Sequence, residues 1–193
     1  MAKKLVSVLL MGAMVFSLTG CGSKVKKYSA EEYQEIVADT LGIDEEQIHI
    51  FDMDKNSPPT PYTGTAVDLY GTDHHVYFSA IIAEDDYARV KFEEFYNRIQ
   101  ETLEFEPFKE TFEGDYNIEY DGEVGYIVFS GGPVHTTIFG ESERYKNDFY
   151  GGWYYNDNVL VGIHTIETNG SGEYTEAVVN LIDALGYPQV EDK

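Results

Sequence analysis

The segment FYGGWYYNDNVLVGIHTI, residues 149–166, decides the fold of this chain. Aromatic and β-branched residues fill both of its halves, and these residue types favour β-strands. Between the halves lies Asn156-Asp157-Asn158, a run of residues that favour turns. Because so short a break joins neighbouring antiparallel strands, the segment predicts a β-hairpin with strands over residues 152–155 and 159–166.

Similar segments recur along the chain. Runs rich in β-branched and aromatic residues, bounded by turn-forming residues, predict six further strands, over residues 47–51, 65–70, 75–83, 116–120, 125–130 and 134–139. Most of the breaks between neighbouring strands are short, and short breaks favour antiparallel pairing. The proline-rich stretch 55–61 predicts a loop, not a linker between domains.

Three segments have the apolar spacing of amphipathic helices. Ser29-Ala30-Glu31-Glu32 has the form of a capping box, which predicts a helix over residues 30–41 with Gly42 as its stop. A second helix is expected from Asp85 to about Leu103, with Pro107 ending it. A third follows the turn at residues 169–172 and ends at Leu185 before Gly186.

Together these elements predict an α+β fold. The order is helix, three strands, helix, several strands, helix, which suggests an antiparallel sheet of about six to eight strands packed with three amphipathic helices. The chain from residue 29 to residue 193 has the length of a single globular domain.

The first residues of the chain have a different character. Lys3 and Lys4 precede an apolar run, residues 5–18, that is too short to cross a bilayer, and Leu18-Thr19-Gly20-Cys21 follows it. These four residues resemble the lipobox of bacterial lipoproteins. The resemblance implies transfer of a diacylglycerol to the thiol of Cys21 and cleavage after Gly20. Residues 1–20 are then a cleaved signal peptide, residues 21–28 a lipidated tether, and the mature protein is extracytoplasmic and anchored to the bacterial cell membrane.

A basic cluster follows the expected anchor. Lys24, Lys26 and Lys27 would lie close to the lipid headgroups, where each positive charge is attracted to anionic lipid. The expected partner of this segment is therefore the membrane, reached through the lipid on Cys21 and through these three lysines.

Composition narrows the range of functions that the chain could have. The formal net charge of the whole chain is −22, and after loss of residues 1–20 the mature chain has 11 basic against 35 acidic residues, or −24. So acidic a domain is not expected to bind nucleic acid. Cys21 is the only cysteine, and its acylation leaves the mature protein without a disulfide or a thiol nucleophile.

The aromatic run at residues 149–155 is the first candidate binding site. Exposed rings can stack on the faces of sugars, so Tyr150, Trp153 and Tyr155 are candidates for binding a cell-wall glycan. The alternative is that the rings of this strand fill the core of the sheet.

A cation site is the second candidate. Asp52, Asp54 and Asn56 have the alternating oxygen side chains that begin a calcium loop. The rest of that loop is missing, since Ser57 stands where glycine is needed and Thr63 where glutamate is needed. Asp73-His74-His75 could also hold a metal, although neighbouring residues of a strand point to opposite faces.

Motifs of known enzyme classes are not found: Ser130 and Ser142 lack the Gly-x-Ser-x-Gly context, and the sequence has no His-Glu-x-x-His. No cofactor is expected. The leading hypothesis is a lipid-anchored, non-enzymatic binding or accessory protein of the envelope, with a glycan or another envelope protein as partner. Two alternatives stay open: a surface hydrolase of glycan or peptide that uses paired carboxylates, and a cation-dependent binding protein.

Overall fold

The computed structural model describes residues 24–54, 62–69, 75–132, 148–167 and 172–190. In these residues seven antiparallel strands form one sheet, and four helices pack against it. The α+β prediction is confirmed, as is the number of strands. Within these ranges no helix is both long enough and apolar enough to cross a membrane.

The N-terminal part of the chain forms one helix and a three-stranded meander. Helix α1 (Ala30–Leu41) begins with the predicted capping box, in which Ser29 Oγ accepts from the Glu32 N–H and the Glu32 carboxylate accepts from the Ser29 N–H. Gly42 ends the helix with φ of 65°, a conformation that glycine adopts without strain. A short 3₁₀ turn then leads into the strands, which are β1 (Ile48–Met53), β2 (Gly64–Leu69) and β3 (Val76–Ala83).

The C-terminal part enters the sheet from its far edge. Two helices, α2 (Tyr87–Glu104) and α3 (Glu106–Thr111), carry the chain there, and a four-stranded meander then returns toward β3. Its strands are β4 (Glu113–Tyr120), β5 (Val124–Gly132), β6 (Asp148–Asn156) and β7 (Val159–Glu167). The sheet order is β1-β2-β3-β7-β6-β5-β4, so that β7 pairs antiparallel with β3. The chain then forms α4 (Glu173–Leu185).

Helices cover both faces of the sheet. Alternate strand residues point to opposite faces, and each face has its own buried cluster. On the α1 and α4 face the largest fully buried side chains include Tyr33, Phe78 and Tyr154. On the α2 and α3 face the buried cluster contains Phe92, Ile99, Ile127, Trp153, Tyr155 and Leu160.

Some predictions about element boundaries are wrong. Pro107 does not end the second helix, since α2 already ends at Glu104 and Pro107 lies in the first turn of α3. Proline is tolerated there because the first N–H groups of a helix have no partner within the helix. The strands β4 and β6 are also longer than predicted. The strand expected at residues 134–139 lies outside the described residues.

The N-terminal boundary of the folded domain also differs from the expected one. Residues 24–28 were expected to belong to a tether, but Val25 is only 1% exposed and belongs to the same buried cluster as Tyr154 and Leu185. The folded domain therefore includes Lys24 and does not begin at Ser29. The expected signal peptide and Cys21 lie outside the described residues.

Candidate functional site

The three aromatic candidates of strand β6 do not form one surface. Trp153 and Tyr155 point to the α2 face and are only 8% and 2% exposed. Tyr150 points to the opposite face, where its hydroxyl donates to Gln189 Oε1 at 2.8 Å. The expectation of an exposed platform made from these three rings is corrected by this placement, because alternation along the strand separates Tyr150 from the other two.

Tyr155 is a core residue. Its ring stacks on Phe92 of α2, with 5.3 Å between the ring centroids, and meets the ring of Tyr120 edge-on at 6.2 Å. Burial is the largest cause that raises the pKa of its hydroxyl above the usual value. For this residue the core-packing alternative describes the structure.

Trp153 has a second environment, because it lines an open cleft of about 150 Å³ between α2 and the sheet. Strands β3, β6 and β7 provide the floor of the cleft and α2 provides one wall. The lining residues are Tyr77, Ser79, Ile81, Tyr87, Lys91, Phe95, Trp153, Leu160 and Gly162. We refer to this site as the Trp153 cleft.

A row of neighbouring residues on three strands forms the floor of the cleft. Ser79 on β3 is opposite Gly162 on β7, which in turn is opposite Trp153 on β6. Gly162 has no side chain, and a Cβ placed there would lie 3.5 Å from both Trp153 Cδ1 and Tyr77 Cε1. The missing side chain therefore leaves the edge of the indole accessible from the cleft.

The wall has a regular helical spacing. Tyr87, Lys91 and Phe95 are four residues apart along α2, so they lie on one side of that helix. The Lys91 ammonium is 5.2 Å from the centroid of the Phe95 ring and 2.7 Å from Glu94 Oε2. The wall thus combines aromatic rings with a positive charge.

Tyr77 forms the open side of the cleft and is 48% exposed. Its ring stacks on the imidazole of His164, with 4.5 Å between the centroids. Burial of the hydroxyl raises the pKa of Tyr77, as does the nearby negative charge of Asp68, while a hydrogen bond with Ser79 opposes them. The residue therefore offers an exposed ring face and a neutral hydroxyl.

His164 lies beneath the cleft and does not line it. The rings of Tyr77, Phe149 and Trp153 surround it at centroid distances of 4.5, 5.5 and 6.3 Å. Burial lowers the pKa of this imidazole to about 4, so it is neutral at pH 7. Its position identifies it as packing beneath the aromatic site.

The lining side chains are of the kinds that bind ligands. Aromatic ring faces can stack on a sugar or another ring, and Lys91, Ser79 and the Tyr77 hydroxyl supply polar groups at its edge. None of the nine lining residues, all within the described ranges, has a carboxylate or an imidazole. Paired carboxylates of the kind that a glycoside hydrolase uses are therefore not brought together in this cleft.

The candidate cation ligands lie elsewhere. Asp52 and Asp54 are exposed at the end of β1, and Asp52 Oδ1 accepts a hydrogen bond of 3.2 Å from Thr65. Asn56 lies outside the described residues, as do Asp73 and His74. His75 is described, and its ring lies 4.3 Å from that of Tyr174. Over the described part of the chain, no three His, Cys, Asp or Glu side chains are grouped as metal ligands.

Two of the three lysines of the expected membrane contact form ion pairs close to one end of the sheet. Lys24 forms an ion pair with Glu119, and Lys27 forms one with Asp157 at 2.8 Å. All four side chains are substantially exposed, so these pairs contribute little to stability. The pKa of the Glu119 carboxyl is lowered, first by its hydrogen bond from Lys24 and then by one from Tyr126.

Sequence reasoning found Trp153 but missed most of the cleft. Tyr77 is one of many tyrosines in strands, and Gly162 resembles an ordinary interruption of a strand. The signal that was present is the four-residue spacing of Tyr87, Lys91 and Phe95, beside the buried stripe of α2 that contains Phe92 and Ile99.

Comparison of the chain with protein-family models, with curated proteins and with solved structures finds no match.

Proposed function

We propose that this chain is a lipid-anchored extracytoplasmic protein of the bacterial envelope that binds a ligand and catalyses no reaction. The Trp153 cleft is the proposed ligand site, and a cell-wall glycan is the proposed ligand. The observation that carries the proposal is the open cleft with aromatic rings on its floor, wall and open side. Sugar rings present apolar faces that stack on such side chains, and their hydroxyls bond to the polar groups around them.

The anchor is supported by the sequence of residues 1–21. A positive start, a short apolar run and Leu18-Thr19-Gly20-Cys21 together favour export and acylation at Cys21. Two acyl chains on one cysteine meet the requirement of two membrane signals for stable anchoring.

The anchor is tested by labelling with a fatty acid. The wild-type protein is expected to take up the label and to partition into detergent, while Cys21→Ser is expected to do neither. Uptake of label by the Cys21→Ser variant would contradict acylation at this residue. Ser23→Ala is the matched control, since it changes a neighbouring small residue and leaves Cys21 in place.

The ligand site is tested by fluorescence, because Trp153 is the only tryptophan of the chain. Titration with soluble glycan fragments of the cell wall is expected to change its emission in a saturable way. Tyr77→Ala is expected to weaken binding about tenfold, which corresponds to about 1.4 kcal/mol. Tyr116→Ala is the matched control, because Tyr116 is 49% exposed on the same face of the sheet but lies outside the cleft.

Three results would contradict the glycan proposal. One is the absence of any saturable change in emission, and another is an equal loss of affinity in the Tyr77 and Tyr116 variants. The third is that binding needs a folded envelope protein and not a glycan, in which case the cleft would be a protein interface. Hydrolysis of the fragments during the titration would instead support an enzyme.

A further inference from the structure

The segment of residues 24–28 is attached to the domain through its backbone. Asn156 Nδ2 donates to the Val25 carbonyl oxygen at 2.6 Å, and the Tyr187 hydroxyl donates to the Lys26 carbonyl oxygen at 2.9 Å. The Tyr28 hydroxyl donates to the Leu185 carbonyl oxygen at 2.8 Å. With the Val25 side chain 1% exposed, the segment has a fixed position on the domain.

This attachment is at one end of the sheet. The turn between β4 and β5 and the turn between β6 and β7 lie there side by side, since the Asp157 N–H donates to the Glu123 carbonyl oxygen at 3.2 Å. Two ion pairs join the segment to this end of the sheet. Lys24 pairs with Glu119 near the end of β4, and Lys27 pairs with Asp157 in the turn between β6 and β7. We call residues 24–28, 119–124 and 156–159 the proximal end.

Covalent geometry limits how far this end can lie from Cys21. Lys24 follows Cys21 by three residues. At most about 3.6 Å of chain per residue separates them, or about 11 Å in total. A flexible tether of eight residues would have let the domain turn freely, but only this short connection precedes the attached segment.

Charge favours the same orientation. The proximal end contains three lysines and four carboxylates, so its net charge is −1, while the mature chain as a whole has −24. Anionic headgroups repel the rest of the domain more strongly than they repel this end. The basic residues thus offset nearby carboxylates of the domain.

We infer that residues 24–28 hold the domain in a fixed orientation on the lipid bilayer, with the proximal end toward the membrane surface. The inference rests on the proposed acylation of Cys21. The strand register then gives the position of the Trp153 cleft. Ile82 pairs with Val159 of the proximal end, and Tyr77 lies five residues further along β3, or about 16 Å away. The cleft faces sideways, a short distance above the membrane.

Two cysteine probes at opposite ends of the sheet test this orientation. Glu123→Cys lies in the proximal end, and Glu113→Cys lies at the opposite end of β4, seven residues or about 23 Å from Tyr120. Both glutamates are exposed. In the acylated mature protein each new cysteine is the only free thiol, because the native Cys21 bears the lipid. A fluorophore is attached to each, and the proteins are reconstituted in vesicles that contain a quencher at the lipid headgroup.

The probe at residue 123 is expected to be quenched at least threefold more strongly than the probe at residue 113. A Gly/Ser insertion of ten residues between Ser23 and Lys24 provides the control, because it adds an average separation of about 17 Å and is expected to remove the difference. Equal quenching of the two probes in vesicle-bound protein would overturn the orientation and leave the anchor intact. Failure of the protein to float with the vesicles would overturn the anchor, and the orientation with it.

Discussion

Asn156 at the end of β6 and Val25 in the N-terminal segment are joined by a hydrogen bond of 2.6 Å, although 131 residues separate them in the chain. The bond connects a side chain of the central hairpin to a partly buried backbone carbonyl, and this carbonyl loses that donor when Asn156 is replaced. A buried acceptor that loses its donor costs more than the bond itself contributes.

Asn156→Ala is therefore expected to lower the free energy of unfolding by about 1–2 kcal/mol. The measurement is urea unfolding followed by Trp153 fluorescence. Asn97→Ala is the matched control, since Asn97 is exposed on α2 and a surface change of this kind stays within about 0.5 kcal/mol. Equal stability of the two variants would show that the N-terminal segment is not held through this residue.

Two glycines that lie near Trp153 are expected to differ sharply in their tolerance of a methyl group. A Cβ at Gly152 would lie 1.8 Å from the Ile127 carbonyl oxygen of the neighbouring strand, a distance that requires the backbone to move. A Cβ at Gly162 meets its nearest atoms at 3.5 Å, an ordinary contact. Gly152→Ala is expected to cost about 3 kcal/mol or more, while Gly162→Ala keeps the fold. Thermal unfolding of both variants checks this, and a similar melting temperature would contradict it.

Gly162→Ala is also expected to affect ligand binding in the cleft. The added methyl group would stand between Trp153 and Tyr77 without displacing either ring. It is expected to weaken binding of glycan fragments severalfold in the fluorescence titration, with unfolding unchanged. Unchanged affinity in a variant that folds normally would argue that the ligand does not contact this part of the floor.

Trp153→Ala is expected to behave as a core substitution. The indole is 8% exposed and lies 5.3 Å from Phe95 and 6.4 Å from Phe149, measured between ring centroids. Replacing a buried tryptophan by alanine costs about 3–5 kcal/mol, so circular dichroism is expected to show a large fall in melting temperature. Tyr77→Ala, at a half-exposed position, is expected to cost clearly less. The tyrosine is therefore the better residue for separating binding from stability.

The local elements were accessible to sequence reasoning because they depend on local chemistry. The capping box at Ser29 and Glu32 and the glycine stop at Gly42 need only a few neighbouring residues. The central hairpin depends on one turn and on strand propensity. The role of Pro107 was predicted wrongly because a proline can either stop a helix or lie in the first turn of the next one. Only the packing of Phe108 against the sheet shows that Pro107 belongs to the first turn of α3.

Other features needed the tertiary structure. Val25 is a single apolar residue among lysines and shows no periodicity, so nothing local indicates its burial. The pairing of β3 with β7 depends on the crossing of the chain from β3 to the far edge strand β4, from which the meander returns. That pairing places Tyr77 beside Gly162 and so creates the cleft, which explains why sequence reasoning identified only its tryptophan.

A group of buried tyrosines predicts loss of stability at alkaline pH. The hydroxyls of Tyr33 and Tyr187 form a hydrogen bond of 2.8 Å, and burial raises the pKa of Tyr33 to about 12. Burial also raises the pKa values of Tyr154 and Tyr187 well above the usual value for tyrosine. Tyrosines of the unfolded chain lose their protons near pH 10. The free energy of unfolding therefore keeps its full value below that pH and falls above it. Each tyrosine contributes about 1.4 kcal/mol per pH unit.

Tyr187→Phe is expected to separate two effects of this hydroxyl. The variant loses the hydrogen bond to the Lys26 carbonyl oxygen and is less stable at pH 7, but its stability falls less steeply above pH 10. Tyr116→Phe is the matched control, since it removes a tyrosine hydroxyl from an exposed ring. Denaturant unfolding between pH 8 and 11.5 checks the slopes; identical slopes in all three proteins would contradict the assignment.

His164 predicts a second loss of stability, on the acidic side. Its pKa is lowered to about 4 by burial beneath Tyr77 and Trp153, whereas an unfolded histidine titrates near 6.5. The folded state therefore binds the proton less readily than the unfolded state, and stability that is complete above pH 6.5 is lost as the pH falls toward 4. The difference amounts to about 3 kcal/mol.

His164→Gln removes the proton-binding group and is expected to flatten this part of the pH profile, although its stability at pH 7 is lower. His49→Gln, at an exposed position of β1, is the matched control. Since protonation would place a positive charge under the aromatic floor, the affinity for glycan fragments should fall together with stability in the wild type and not in His164→Gln. A wild-type slope that the His164 variant retains would assign the acid transition to the carboxylates of the domain.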